Sequence, residues 1–116
     1  MDLMVRYRVK ADRAEENVAA VLAVFAELER QRPRGLRYAT FRLADGLSFM
    51  HLARIETADG ANPLLAVEAF KRFAASVRER CDEPPVTTPL TEVASYRLLD
   101  RSSDERDAVQ GEPPPR

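Results

Sequence analysis

Apolar and polar residues alternate with period two in four stretches of the chain. From Leu3 to Lys10, LMVRYRVK places Leu3, Val5, Tyr7 and Val9 on one side and Met4, Arg6, Arg8 and Lys10 on the other, the pattern of a strand buried on one face. From Leu47 to Glu56, LSFMHLARIE sets Leu47, Phe49, His51, Ala53 and Ile55 against Ser48, Met50, Leu52, Arg54 and Glu56. Leu36 to Leu43 is also extended, but Leu36 and Tyr38 compete with Ala39, Phe41 and Leu43 for the inner side, and the pattern does not choose between them. Asp45-Gly46 follows, a pair that tolerates positive φ, so these two strands form an antiparallel hairpin. The last stretch, Val86 to Leu99, alternates Leu90, Glu92, Ala94, Tyr96 and Leu98 with Thr91, Val93, Ser95 and Arg97, and Pro89 requires that it lie at a sheet edge or start after the proline.

Between these stretches the period lengthens to that of a helix. Asp12 and Glu15 stand at the spacing of a capping box, and Val18, Val21, Leu22, Phe25 and Leu28 form one apolar stripe behind them. This predicts a helix from Arg13 to Gln31, stopped by Pro33 and Gly35. Asn62-Pro63 is a second helix start, followed by Ala66, Phe70, Phe73, Ala74 and Val77, with the end near Cys81 ahead of Asp82-Glu83-Pro84-Pro85.

The order of elements is then β-α-β-β-α-β, a ferredoxin-like α+β plan with a four-stranded antiparallel sheet in the order 4-1-3-2 and both helices on one face. Residues 1–99 form this domain, and the polar, charged and proline-containing residues 100–116 read as a disordered tail. Parity assigns Leu3, Val5, Tyr7, Val9, Phe49, Ala53, Ile55, Leu90 and Tyr96 to the helix side. The opposite face carries Met4, Arg6, Arg8, Met50, Leu52, Arg54 and Val93, too apolar for simple solvation and too basic for a dry core. A homodimer packed sheet to sheet, with the arginines at the rim or paired with acids of the other copy, accounts for both properties.

Composition narrows the function classes. A chain of 116 residues has room for one core, and a net charge of -1 gives no overall attraction to nucleic acid or anionic membranes. One cysteine and one histidine cannot build the usual zinc site, no apolar run reaches a membrane span, and no signal peptide opens the chain, so a cytoplasmic protein without a structural metal is expected. Arg30, Arg32, Arg34 and Arg37 lack interleaved aromatics and read as a solvated corner that complements the helix dipole. Cys81 sits at the negative end of the second helix, the wrong end for a nucleophile.

The succession MVRYRVK, helix, GLRYATFRL, SFMHLARIE and NPLLAVEAFKRF resembles the antibiotic biosynthesis monooxygenase family among the dimeric α+β barrels, over residues 3 to 99. The resemblance implies a homodimer and, where such proteins are enzymes, cofactor-free oxygenation of aromatic or quinol-type substrates in a pocket between sheet and helices. It also implies departures. Where the family commonly carries Glu and Trp at the end of strand three and His at the start of helix two, this chain has Ala53, Ile55, Leu64 and Ala69. The alternative is a non-catalytic, small-molecule-binding or stress-responsive dimer of the same fold.

His51 is the candidate catalytic residue, a base near neutral pH that could take an acidic phenolic or α-carbonyl proton, set against the plainer reading of a core histidine satisfied by tyrosine or backbone. Tyr7, Tyr38 and Tyr96, with Phe49 and Phe70, are the candidate contacts to an aromatic ligand, and each could equally be a core residue. Tyr38 matches the tyrosine that recurs in the family's second strand. Glu92 reads as an acid near solvent or beside a partner's arginine.

Overall fold

The computed structural model describes residues 1–98. Four strands, β1 (Asp2–Val9), β2 (Leu36–Arg42), β3 (Ser48–Ile55) and β4 (Cys81–Leu90), form one antiparallel sheet in the order β2-β3-β1-β4. The expected order 4-1-3-2 is therefore the one observed. Helices α1 (Ala14–Gln31) and α2 (Glu68–Arg80) cover one face. Leu99 and the expected tail, 100–116, lie outside the described residues.

Strands β1 and β3 sit at the centre because both alternate cleanly. Their register pairs Val5 with His51 and Tyr7 with Phe49 on the covered side, and Met4 with Leu52 and Arg6 with Met50 on the other. Strand β2 resolves its ambiguity through the same register. Thr40 pairs with His51 and Tyr38 with Ala53, which turns Leu36, Tyr38 and Thr40 toward the helices and Ala39 and Phe41 outward. The hairpin forms as expected. Asp45 Oδ1 accepts from the backbone N–H groups of Leu47 and Ser48, and Gly46 takes a φ of 75°.

The fourth strand differs from its expected range of Val86 to Leu99. It begins at once after α2 and ends at Leu90, which pairs with Asp2 at the start of β1. Thr91 onward leaves the sheet. Pro84, Pro85 and Pro89 are tolerated because β4 is an edge and its register shifts twice against Arg6, Arg8 and Val9. Consequently Leu90 and Tyr96 are not in the core, and Val93, expected on the open sheet face, is almost fully exposed beyond it. Phe41, Val86 and Leu90 join Met4, Met50 and Leu52 on that face instead. Of its arginines, Arg54 is held by Asp2 and Glu92, and Arg8 by Asp82 and Glu83, all within the same chain.

Helix α1 starts one residue later than expected, after a 3-10 turn at Ala11–Arg13, and no side chain caps it. Its buried positions are Ala14, Asn17, Val21, Val24 and Glu27, whereas Leu22 is 61% exposed. The stripe is rotated from the purely apolar one because two polar residues face inward. The Asn62-Pro63 start opens a 3-10 turn, Pro63–Ala66, in which Asn62 accepts from the Leu64 N–H. Helix α2 proper begins at Glu68.

Glu27 supplies the cap that α2 lacks in its own sequence. Its carboxylate accepts from the backbone N–H of Ala69 at 2.8 Å and of Glu68 at 3.3 Å, and these two bonds hold its pKa below the usual range. A charged acid on α1 thus terminates the amide row of α2 and complements its dipole. Glu27→Gln is expected to lower the melting temperature at pH 7, with the difference from wild type shrinking as acid protonates Glu27. A melting temperature that stays level at pH 7 would show the cap contributes nothing.

Candidate functional site

The covered face of the sheet carries a buried polar row built from three strands and two helices. His51 lies on central β3 and is 4% exposed. Its Nε2 is 2.8 Å from the Tyr7 hydroxyl on β1, and its Nδ1 is 2.8 Å from the Tyr38 hydroxyl and 2.9 Å from Thr40 Oγ1, both on β2. The row continues into the helices. Asn17 Nδ2 on α1 donates to the Tyr7 oxygen at 2.9 Å, Arg80 Nε on α2 donates to Asn17 Oδ1 at 3.0 Å, and Arg80 Nη1 donates to Ser76 Oγ at 2.8 Å. Arg80 Nη2 is buried and has no hydrogen-bond partner among the described residues.

Burial sets the protonation states. The imidazole is pushed down to about 4, because the charged form has lost water and no acid stands beside it, so His51 is neutral at physiological pH. The Tyr7 hydroxyl is raised to about 12 by burial, partly opposed by the Asn17 hydrogen bond, and burial lifts Tyr38 further. All three groups rest uncharged. Aromatic contacts hold them in place: Tyr7 stacks on Phe49 and on His51, Tyr38 on Phe25, and the Phe73 ring meets His51 at 5.5 Å between centroids. The Arg80 guanidinium lies over the opposite neighbour, 5.4 Å from the Phe73 ring centroid.

A cavity of about 250 Å³ opens between this row and α2. Tyr7, Tyr38 and His51 line it together with Phe70, Phe73 and the exposed Arg78. A second cavity of about 540 Å³ lies between α1 and β2, against Val18, Phe25, Tyr38, Thr40 and Phe49. The residues singled out from the sequence therefore separate. Tyr7, Tyr38, His51 and Phe70 meet at the first cavity, and Phe49 sits behind Tyr7 against the second. Tyr96, expected among the ligand contacts, is 81% exposed with the Arg97 guanidinium over its ring, because the sheet ends before reaching it. Glu92 is exposed, as expected, but its arginine is Arg54 of the same chain. Cys81 is half-buried, and burial raises its thiol pKa.

Sequence reasoning missed Asn17, Thr40 and Arg80. Two of them carried a signal in their phase. Asn17 stands in helical register with Val21 and Val24, and Arg80 with Phe73 and Val77, so each is a polar residue on an apolar stripe. Among the described residues no group of three or more His, Cys, Asp and Glu converges to hold a metal, and no helix is long and apolar enough to cross a membrane.

No protein-family model matches the sequence, and a search of curated proteins gave no match. Solved structures do match. A protein from Nitrosomonas europaea, assigned provisionally as an antibiotic biosynthesis monooxygenase, superposes with a TM-score of 0.65 at 18% identity, over 79% of this chain and 88% of that one. A Caulobacter crescentus protein with the same provisional assignment gives 0.65 at 19% identity, over 80% and 89%. SnoaB, a cofactor-independent oxygenase from Streptomyces nogalater, gives 0.60 at 19% identity, over 84% and 96%. These likenesses establish the fold, which is the ferredoxin-like α+β fold of the antibiotic biosynthesis monooxygenase proteins.

Proposed function

We propose that the chain is a cofactor-free, monooxygenase-like protein that binds a small aromatic or quinone-type metabolite in the cavity between the sheet and α2. The observation that carries this reading is the cavity itself: a mostly apolar space into which one cluster of phenols and an imidazole is built. Its volume of about 250 Å³ favours a ligand of one or two rings. Tyr38, backed by His51, meets the ligand's oxygen, Phe70 and Phe73 give ring contact, and Arg78 suits an acidic substituent at the mouth. Stabilising charge on that oxygen helps the adjoining carbon give its proton to water at the cavity mouth, and the resulting carbanion is what dioxygen attacks.

Non-catalytic binding is the second reading. It is favoured by the engagement of both His51 ring nitrogens, which leaves no free lone pair for a substrate proton. Oxygen uptake with anthrone or a naphthohydroquinone separates the two readings. The oxygenase reading expects turnover above the uncatalysed rate, reduced at least about a hundredfold in His51→Ala, the lower end of general acid–base contributions. Equal uptake in both proteins removes His51 from the mechanism, and binding without uptake leaves the non-catalytic reading.

The assembly unit is a homodimer formed through the open sheet face. Phe41 and Val86 are 42% and 62% exposed there, amid Met4, Met50 and Leu52, and a second copy would cover them. Sedimentation is expected to give a dimer at micromolar concentration, shifted toward monomer by Leu52→Glu. A monomer in the unmodified protein would overturn this arrangement.

A further inference from the structure

The hydrogen bonds around His51 have a direction, fixed by a residue that can only donate. Arg80 is 3% exposed, and a guanidinium offers no acceptor. Its bond to Asn17 Oδ1 therefore settles the orientation of that amide, leaving Nδ2 to donate to the Tyr7 oxygen. The Tyr7 hydroxyl proton then has one neighbour left, His51 Nε2 at 2.8 Å. Nε2 accepts, so the ring proton of neutral His51 stands on Nδ1, facing the oxygens of Tyr38 and Thr40. The other tautomer would aim two donors at the Tyr7 oxygen and strand the Tyr7 proton in the core without an acceptor. In the favoured arrangement the imidazole does not claim the Tyr38 proton, which is free for Thr40 or for the cavity.

We propose that Arg80 and Asn17 are positioning residues that polarise this row toward the cavity, so that the site presents Tyr38 as a hydrogen-bond donor and selects aromatic ligands bearing an acceptor oxygen, such as aryl ketones and quinones. This rests on the reading that the cavity takes an aromatic ligand. As negative charge develops on the ligand oxygen, the Tyr38 proton moves toward it. The Nδ1 proton follows to Tyr38, and the Tyr7 proton follows to Nε2. Three O–H or N–H bonds break and three form, and the charge comes to rest on the Tyr7 oxygen. There Asn17 Nδ2–H holds it, with the Arg80 guanidinium behind, a buried cation that pairs with no acid among the described residues. The charge of Arg80 is thus placed where the row needs it.

The chain has one histidine, so nitrogen-15 spectra of histidine-labelled protein read this ring alone. Wild type at pH 7 is expected to show protonated Nδ1 and bare Nε2. Asn17→Leu frees the Tyr7 oxygen to accept from Nε2–H and should move the tautomer ratio by about tenfold, the scale of one buried hydrogen bond. Arg80→Lys, which keeps a donor at that position, should hold the wild-type tautomer. A wild-type ring protonated on Nε2, or an unmoved ratio in folded Asn17→Leu, overturns the proposal, and the wild-type spectrum decides even where a variant fails to fold. The ligand half is read separately by titrating 1-tetralone and tetralin, which differ by one oxygen. Tighter binding of tetralone by about tenfold, lost in Tyr38→Phe, supports it, and equal affinity overturns it. Binding of neither probe removes the aromatic reading and its ligand preference together, while the spectra still decide the polarity of the row.

Discussion

Phe73→Ala is expected to lower the unfolding free energy by about 3–5 kcal/mol, the range for removing a buried aromatic ring. Phe73 is 8% exposed and stands at the junction of everything the site contains. Its ring packs on Tyr7, His51 and Phe70, lies beneath the Arg80 guanidinium and walls the cavity. The existing space joins the new one, so the neighbours cannot collapse inward to recover their contacts, and the loss falls toward the upper part of the range. Urea denaturation followed by circular dichroism measures it. A loss below about 1 kcal/mol would mean that α2 closes onto the sheet, which contradicts a wall held open by stacked rings. Phe73→Leu keeps much of the volume and should lose less than half as much, though it removes the π face under Arg80.

The second large effect is a loss of stability in mild acid carried by one side chain. In the unfolded chain His51 has its ordinary value of 6.5, whereas in the fold burial takes it to about 4. Above pH 6.5 neither state binds the proton and the full stability is present. As pH falls below 6.5 the unfolded chain binds a proton that the folded one refuses. Stability then declines until the pH reaches the folded value near 4, by roughly 3 kcal/mol in total. Carboxylates held low by hydrogen bonds, Asp45 at about 2 among them, add losses only in stronger acid. Urea midpoints at pH 7.0 and 5.0 sample the upper, larger part of the histidine loss. His51→Gln has no titrating ring and should show a much flatter profile across that interval. Parallel profiles for the two proteins would mean that folded His51 reaches water and titrates normally.

Both effects trace to a region that was only partly legible in the sequence. The parity of β1 and β3 placed Tyr7, His51 and Phe49 on one buried face, because a period of two admits only one alternative and that alternative would bury arginines. The facing of β2 was undecidable from its own residues. Leu36 and Ala39 are equally able to face inward, and the choice falls to register with β3, where Tyr38 and Thr40 come to rest beside the imidazole. The apolar stripe of α1 was drawn through hydrophobic residues alone, which left out Asn17 and Glu27. Each is buried only because its partner comes from the other helix, Arg80 in one case and the Ala69 amide in the other. Such long-range pairing leaves no trace in local periodicity beyond a polar residue in an apolar phase. Strand β4 lies earlier than its own alternation suggests: Asp82-Glu83-Pro84-Pro85 reads as the stop after a helix, whereas an edge strand with register shifts accommodates those prolines.

The prolines of β4 have one more effect, on which side of the sheet another chain could extend. An edge strand offers its free N–H and C=O groups to any passing strand, and that template is the usual route to aggregation. Along β4, Pro84, Pro85 and Pro89 remove three donors from a ten-residue strand whose spacing is already uneven. The other edge, β2, runs Leu36–Arg42 without proline or register shift, ending in the exposed Phe41 and Arg42. The sheet is therefore one-sided toward strand addition: β4 is closed as a template, and intermolecular pairing in a partly unfolded sample should propagate from β2.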